Sequence, residues 1–121
     1  MHTRKHRLSH PLWTSVALLT VLPGAVHATT MYADNGLPAS CSSTYDASAR
    51  TCGSGSAAGY RTIAEALTAA KPGDVVRIRG GTWSELLVPT TSGTAAAPIT
   101  IASQTCETPT LSGIGDVAIY L

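Results

Sequence analysis

Two arginines on one short strand are the residues of this chain whose spacing best suits a chemical role. Arg77 and Arg79 stand two residues apart in the run Val75-Val76-Arg77-Ile78-Arg79, and alternate residues of a strand point to the same face. They would lie roughly 6.6–7 Å apart along the strand, which suits the successive carboxylates of an acidic polysaccharide. A solvated outer face is the plainer interpretation, and the pattern favours it. Arg77 and Arg79 remain the candidate substrate-binding residues.

Three acidic residues and one aromatic residue are further candidates for chemistry. Asp74, Glu85 and Asp116 carry the carboxylate oxygens that Ca²⁺ prefers. Asp74 and Glu85 sit at turns, where carboxylates commonly accept hydrogen bonds from backbone amides, and we expect that role for them. Trp83 can stack on a sugar ring, but we expect its ring to fill the interior. The sequence therefore predicts no metal site in this chain.

The first 28 residues have the pattern of a cleaved secretory signal peptide. Three basic residues lie between positions 4 and 7, an apolar run covers 12–22, and Val26-His27-Ala28 resembles a cleavage site. The apolar run is about half of the ~20 residues that a transmembrane helix needs. We expect a secreted or periplasmic protein that begins at Thr29, with an uncleaved membrane anchor as the alternative.

Removal of this segment changes the chemistry that the chain can perform. All four histidines lie within the first 28 residues, and residues 29–121 keep five Lys or Arg against seven Asp or Glu, a net charge of −2. Without histidine no Ser–His nucleophile can be assembled. The acidic balance gives no basic surface for nucleic acid or for an acidic membrane. After cleavage we expect neither nucleic acid nor membrane as a partner.

The three cysteines predict one disulfide. Cys41 and Cys52 flank a short turn-rich loop, and an exported chain meets oxidising conditions. Closing this loop contributes roughly 2–3 kcal/mol on the chain-entropy model. A metal site is the rival interpretation, which the lack of a nearby His or third Cys disfavours. Cys106 is left over, either buried and free or bonded to a partner outside this chain.

The spacing of apolar residues predicts a helix followed by short strands. Thr62 and Glu65 have the spacing of a capping box, and Pro72-Gly73 ends the helix. We expect Leu67, in the middle of its apolar stripe, to pack on Val76 or Ile78. A loop-rich segment, which opens with a short strand at Tyr32, precedes the helix. The strand candidates after the helix are Val75–Arg79, Leu86–Val88, Ile99–Ile101, Thr110–Leu111 and Val117–Leu121.

Three stretches of the sequence carry a resemblance to a known fold. They are AEALTAAKPGDVVRIRGGTWSE, TSGTAAAPITI and ETPTLSG, within residues 32–113. Together they resemble the N-terminal part of secreted right-handed parallel β-helix proteins of the pectate-lyase-like superfamily, although Trp83 stands where the family usually has Tyr. The resemblance implies a mostly β fold, while strand spacing alone also fits an antiparallel sandwich. We expect a signal peptide at 1–28, a loop-rich segment at 29–59, and a cap helix with the first coils at 60–121.

The resemblance also sets two expectations of function. In the lyases of this superfamily a Lys or Arg abstracts a proton beside a uronate carboxylate, often next to Ca²⁺, on middle coils that this chain lacks. The chain is then the N-terminal fragment of an extracellular polysaccharide lyase, with an acidic polysaccharide as its partner and Ca²⁺ possible only in the complete protein. The alternative is a non-catalytic carbohydrate-binding or adhesive β-helix surface protein, since a fold does not by itself define a reaction.

Overall fold

Strands predominate in the computed structural model, which describes residues 27–112. These residues form eight strands and one helix. The strands are β1 (Thr30–Ala33), β2 (Cys41–Asp46), β3 (Thr51–Cys52), β4 (Ala57–Tyr60), β5 (Val75–Ile78), β6 (Gly81–Trp83), β7 (Thr100–Ser103) and β8 (Pro109–Leu111). The helix is α1 (Ile63–Ala69), between β4 and β5.

Six of the strands form a mixed sheet with the order β3-β2-β4-β1-β5-β7. Strands β4, β1, β5 and β7 run parallel to one another, whereas β2 is antiparallel to both β3 and β4. The hairpin of β2 and β3 therefore covers the β4 edge of the parallel strands. An edge covered in this way offers fewer free backbone groups to other chains.

A second, two-stranded sheet repeats the same parallel step. Val75 of β5 pairs with Thr100 of β7, and Gly81 of β6 pairs with Pro109 of β8. The chain thus runs from the first sheet to the second twice, first from β5 to β6 and then from β7 to β8. The second pair of strands stacks on the first pair. Parallel strands need such crossover connections, because a tight hairpin can join only antiparallel strands.

Helix α1 begins as the sequence predicts, but its N-terminus has a second stabilising group. The Thr62 hydroxyl accepts a hydrogen bond from the Glu65 amide at 3.1 Å. The Glu85 carboxylate accepts the Ile63 and Ala64 amides at 3.3 and 3.2 Å. These amides lack partners inside a helix, so two side chains together satisfy the first turn. The Glu65 carboxylate accepts a hydrogen bond from the Ser40 hydroxyl at 2.7 Å.

One buried apolar cluster lies between α1 and the parallel strands. Helix α1 packs against β1, β4 and β5. Leu67, Val76 and Ile78 belong to this cluster and are almost fully buried, so the predicted inward face of β5 is confirmed. The other buried members of the cluster are Met31, Ala33, Ala58, Ile63, Ala66, Ala70, Trp83 and Leu87.

Some of the predicted strands are present in the structure and others are not. The strands expected near Tyr32, Val75, Ile99 and Thr110 are present. The N-terminal segment expected to be loop-rich contains four strands, β1 to β4. The strand predicted at Leu86–Val88 is wrong as stated, because only Leu87 has the backbone bridging of a strand residue. The candidates Val117–Leu121 and Asp116, like most of the signal peptide, lie outside the described residues.

No helix within residues 27–112 is long and apolar enough to cross a membrane.

Candidate functional site

The outer face of the parallel sheet places an aromatic ring beside an arginine. Tyr32 of β1 pairs in register with Arg77 of β5, and both side chains are half-buried. Their strand neighbours Met31 and Val76 are buried on the opposite face, so Tyr32 and Arg77 point away from the core. Arg77 also donates a hydrogen bond to the Ser103 carbonyl at 3.1 Å. Tyr32 and Arg77 define what we call the outer strip.

Tyr45 of β2 lies at one end of the outer strip, and a glycine makes room for its ring. The rings of Tyr32 and Tyr45 have centroids 5.2 Å apart and are tilted by 40°. Gly59 of β4 lies beneath Tyr45, and a Cβ atom there would come within 2.5 Å of the Tyr45 ring. Any larger residue at this position would displace the ring. The hairpin of β2 and β3 is thereby held against the parallel strands.

Asp34, which follows β1, is the centre of a buried polar network. Its carboxylate accepts a hydrogen bond from the Tyr45 hydroxyl at 2.7 Å and from Arg50 Nε at 2.9 Å. The Gly36 amide donates to it at 3.0 Å. The Asp34 side chain is fully buried, whereas 39% of the Arg50 side chain is exposed. A buried carboxylate needs such partners, because burial of an unpaired charge is costly.

Arg79, which follows β5, continues the network to the next turn of the chain. Its guanidinium group donates to the Glu107 carboxylate at 2.6–3.0 Å. It also donates to the Tyr45 hydroxyl at 3.0 Å and to the Ala47 carbonyl at 2.6 Å. The Gly80 amide adds a hydrogen bond to Glu107 at 2.6 Å. Asp34, Tyr45, Arg50, Arg79 and Glu107 define the buried network.

The pKa values of these residues reflect how closely they are paired. Burial alone would raise the pKa of Asp34, but hydrogen bonds from Arg50, Tyr45 and Gly36 outweigh it and lower that pKa to about 2. Burial, together with the Asp34 carboxylate, raises the pKa of Tyr45 to about 12. Arg79 lowers the pKa of Glu107, with help from the Gly80 amide. All of these residues therefore keep one protonation state near neutral pH.

The two arginines of the predicted pair have different surroundings. They share the outer face of the strand, as predicted, but the solvated position expected for both is wrong for Arg79. That residue is only 5% exposed, because Glu107, Tyr45 and Ala47 surround its guanidinium group. Arg77 is half-buried and keeps part of its surface in solvent. Contact of either arginine with a polysaccharide stays a prediction.

The acidic residues weighed as Ca²⁺ ligands are used elsewhere. Asp74 accepts the amides of Thr29 and Lys71 at 3.1 and 2.8 Å, and Glu85 binds the first turn of α1. The predicted turn roles are therefore confirmed for both. Residues 27–112 contain no group of three or more His, Cys, Asp or Glu side chains that fits a metal ion.

Trp83 and the cysteines also have defined positions. Trp83 is buried, and its indole nitrogen donates to the Arg79 carbonyl at 3.0 Å, so its ring fills the interior as expected. Cys41 and Cys52 are joined by the predicted disulfide, with their Cα atoms 6.0 Å apart. Cys106 is exposed and is the free cysteine of the described residues. The expectation that it is buried, one of the two given, is therefore wrong.

The sequence patterns did not predict a site role for Tyr32, Asp34, Tyr45, Arg50 or Glu107. The sequence contains only a weak indication of this site. Asp34-Asn35-Gly36 marks a turn after a strand, but its proximity to Arg79 follows from the register of β1 with β5. Residues aligned by a parallel register can be far apart in sequence. No local pattern reveals that alignment.

No protein-family model matches the chain, and neither does any curated protein or any solved structure. The chemistry of the site must therefore be inferred from its own residues. The buried network is suited to hold strands together, because each of its charges already has a partner. The outer strip is suited to binding, because it presents an aromatic ring and a cation side by side.

Proposed function

We propose that this chain forms the opening part of a right-handed parallel β-helix protein that acts on extracellular acidic polysaccharide. In this proposal the outer strip of Tyr32 and Arg77 binds the polysaccharide, and proton abstraction takes place on coils that residues 27–112 do not form. The parent protein is a secreted polysaccharide lyase of the pectate-lyase-like kind. The proposal combines the fold, the outer strip and the sequence resemblance.

The observation that carries the proposal is the repeated parallel step. Strands β7 and β8 stack in parallel on β5 and β6, in two separate sheets and in the same order along the chain. One turn of a β-helix stacks on the previous turn in this way, and an antiparallel sandwich does not. The hairpin of β2 and β3 covers the β4 edge, at the end of the sheet opposite β7, as an end cap does.

The chemistry of the outer strip supports an acidic sugar polymer as ligand. The Tyr32 ring offers an apolar surface of the kind that packs against a sugar ring. Arg77 offers a planar cation with donors that match a carboxylate. Both groups lie on one face of the sheet, and an extended polymer can follow such a face. A uronate chain supplies both a ring and a carboxylate in each unit.

Binding of the full chain to polygalacturonate tests the proposal, with a neutral galactan as the reference polymer. Arg77→Gln removes the charge and should weaken binding to polygalacturonate about tenfold, the effect of one charge-assisted hydrogen bond of ~1.4 kcal/mol. Arg61→Gln is the matched control, because Arg61 is exposed and belongs to neither β1 nor β5, the strands that carry Tyr32 and Arg77. Equal losses in the two variants would show a nonspecific charge effect and contradict the proposal.

A specific observation also favours the alternative, a non-catalytic carbohydrate-binding or adhesive surface protein. The buried charges of Asp34 and Arg79 are each neutralised by a partner, Arg50 and Glu107 respectively. Charges held in this way stabilise a scaffold and have no free base to offer a substrate. Under this alternative, the parent protein binds polygalacturonate through Arg77 but releases no unsaturated product from it. Product release by the parent protein separates the two functions.

A further inference from the structure

Asp74, which precedes β5, is a buried carboxylate without an ion pair inside residues 27–112. The other two buried charged residues of this range, Asp34 and Arg79, each have an ion-pair partner. Asp74 is only 5% exposed, and its carboxylate accepts the backbone amides of Thr29 and Lys71 at 3.1 and 2.8 Å. A buried carboxylate that faces only neutral donors is costly. The position of Asp74 is therefore suited to receive a cation.

The backbone nitrogen of Thr29 is held beside this carboxylate by the pairing of β1 with β5. The Thr29 carbonyl accepts the Val75 amide at 2.9 Å, and the next residue, Thr30, pairs in register with Val75. A cavity of about 390 Å³ adjoins both Thr29 and Asp74, and Thr29 itself is exposed. The Thr29 nitrogen therefore has a fixed position and has space around it for further hydrogens.

The same nitrogen belongs to the peptide bond at which the sequence predicts signal cleavage. Val26-His27-Ala28 resembles a cleavage site, so Thr29 is the expected first residue of the exported chain. Hydrolysis of this bond by water leaves a carboxylate on Ala28 and an amine on Thr29. The amine takes up a proton and is mostly ammonium at neutral pH, because α-amino groups have a pKa of about 7.7–8.0. Cleavage thus converts a neutral donor beside Asp74 into a cation.

We propose that signal cleavage completes the fold, because the new ammonium group of Thr29 forms an ion pair with the buried carboxylate of Asp74. The neutral hydrogen bond at 3.1 Å then becomes a charge-assisted one, which is stronger. Asp74 also holds the Lys71 amide, so the pair fastens the mature N-terminus to the turn between α1 and β5. The inference rests on the export that the proposed function includes, but it does not depend on polysaccharide binding.

Two basic side chains near Asp74 are weaker candidates for its counter-ion. Lys71 and His27 line the same cavity, yet neither forms an ion pair with Asp74. His27 leaves with the signal peptide. Lys71 is exposed, and a long exposed side chain loses conformational entropy when an ion pair fixes it. The Thr29 nitrogen is already fixed by the backbone, so pairing with Asp74 requires little further ordering.

Amine labelling of the full chain, collected after export and processing, tests the proposal. N-terminal sequencing should give Thr29 as the first residue, and a different start would overturn the proposal. A peptide of residues 29–34, added to each reaction near neutral pH, is the unfolded reference. An ion pair that raises the pKa of the α-amine by one unit lowers its labelling rate about tenfold. Thr29 of the folded chain should therefore react about tenfold more slowly than the peptide.

Two carboxylate variants test whether Asp74 causes this protection. Asp74→Asn should bring the labelling rate of Thr29 close to that of the peptide. Asp46→Asn is the matched control, because Asp46 also accepts two backbone amides, those of Ser48 and Ala49. It should leave Thr29 protected. Labelling of the unsubstituted chain at the peptide rate, or an equal loss of protection in both variants, would overturn the proposal.

Acetylation of the N-terminus separates the effect of the charge from that of the hydrogen bond. Acetylated Thr29 keeps an N–H donor but has no charge. Lys71 is the only lysine of residues 29–121, so in Lys71→Arg the reagent modifies Thr29 alone. Acetylation should raise the unfolding equilibrium constant roughly fivefold, the difference between a charge-assisted and a neutral hydrogen bond. In the Lys71→Arg, Asp74→Asn chain it should have little effect.

The acetylation experiment also decides the question if Asp74→Asn does not fold. Equal stability of the free and acetylated Lys71→Arg chains would overturn the proposal. Polysaccharide binding through Arg77 should be the same with and without the acetyl group. Failure of the ion pair and failure of the proposed function are therefore separate results.

Discussion

At the level of single residues, Asp34 connects three parts of the chain that are distant in sequence. Its carboxylate holds Tyr45 of β2 and Arg50 of the following turn, while its own backbone amide donates to the Tyr60 carbonyl at 2.8 Å. Through Tyr45 it also reaches Arg79. A fully satisfied buried network of this kind specifies one arrangement of strands, whereas a partly satisfied one is costly.

The low pKa of Asp34 predicts a loss of stability in acid. The folded-state pKa of about 2 lies below the ordinary aspartate pKa of 3.8, so the folded state favours the ionised form. This contribution is complete above about pH 4 and is lost as the pH falls toward 2. It amounts to about 2.5 kcal/mol in the free energy of unfolding. Urea unfolding at several pH values measures it.

Asp34→Asn is the control for this prediction. The variant should be less stable at neutral pH by up to about 3 kcal/mol, because Arg50 loses its charge partner and remains only partly exposed. It should also show a smaller decrease in stability between pH 4 and pH 2, since only the other carboxylates with a lowered pKa, those of Asp46, Glu65 and Glu107, then contribute. Parallel pH profiles for the variant and the unsubstituted chain would contradict the role given to Asp34.

At the level of elements, α1 shows how a helix of seven residues can be stable within this fold. Isolated helices of this length are not stable in water. Here the first turn is satisfied by Thr62 and Glu85, and one face is buried through Ile63, Ala66 and Leu67. Glu85 comes from the turn after β6, so the helix start also fixes that turn.

Two substitutions in and before α1 should differ in cost. Leu67→Ala should lower the free energy of unfolding by about 2–5 kcal/mol, because Leu67 is buried in the apolar cluster. Thr62→Ala should cost only about 0.5–1 kcal/mol, in the lower part of the range for lost caps, because Glu85 still binds two of the free amides. Chemical denaturation measures both. A larger loss for Thr62→Ala would contradict the burial assigned to the helix face.

At the level of the whole molecule, local sequence patterns predicted the helix and several strands, but they did not predict the contacts between distant residues. Thr62 and Pro72-Gly73 mark α1 because caps and helix stops act over a few residues. The alternation in Val75–Ile78 gave the buried face of β5 for the same reason. The strands β2, β3 and β4 were missed because Ser, Ala and Gly have little strand preference, and pairing with β1 decides their conformation.

The candidate site was predicted less well, because it depends on register. Arg77 and Arg79 were correctly placed on one face, but the burial of Arg79 requires Glu107, which reaches it from the turn after β7. Tyr32 meets Arg77 only through the pairing of β1 with β5. Such contacts join residues that are far apart in sequence, so they follow from the assembled sheet rather than from any segment of it.

The last prediction is that residues 29–121 by themselves cleave no polysaccharide. Proton abstraction needs a base within hydrogen-bond reach of the substrate. Among the described residues, Asp34 and Glu107 are paired with Arg50 and Arg79, and the Tyr45 pKa of about 12 keeps its hydroxyl protonated. Arg77 can hold a carboxylate, but within residues 27–112 its guanidinium group has no hydrogen bond or ion pair with an acidic or basic side chain that would complete a proton-transfer pair.

The measurement uses pectate, alginate and chondroitin, each with and without Ca²⁺, and follows the ultraviolet absorbance of unsaturated uronides. We expect no increase above the rate without protein, while polygalacturonate binding through Arg77 is retained. Clear turnover that disappears in Arg77→Ala, with an unchanged circular dichroism spectrum, would contradict the prediction. It would make the outer strip an active site, because a folded variant that lacks only this guanidinium group would have lost the reaction.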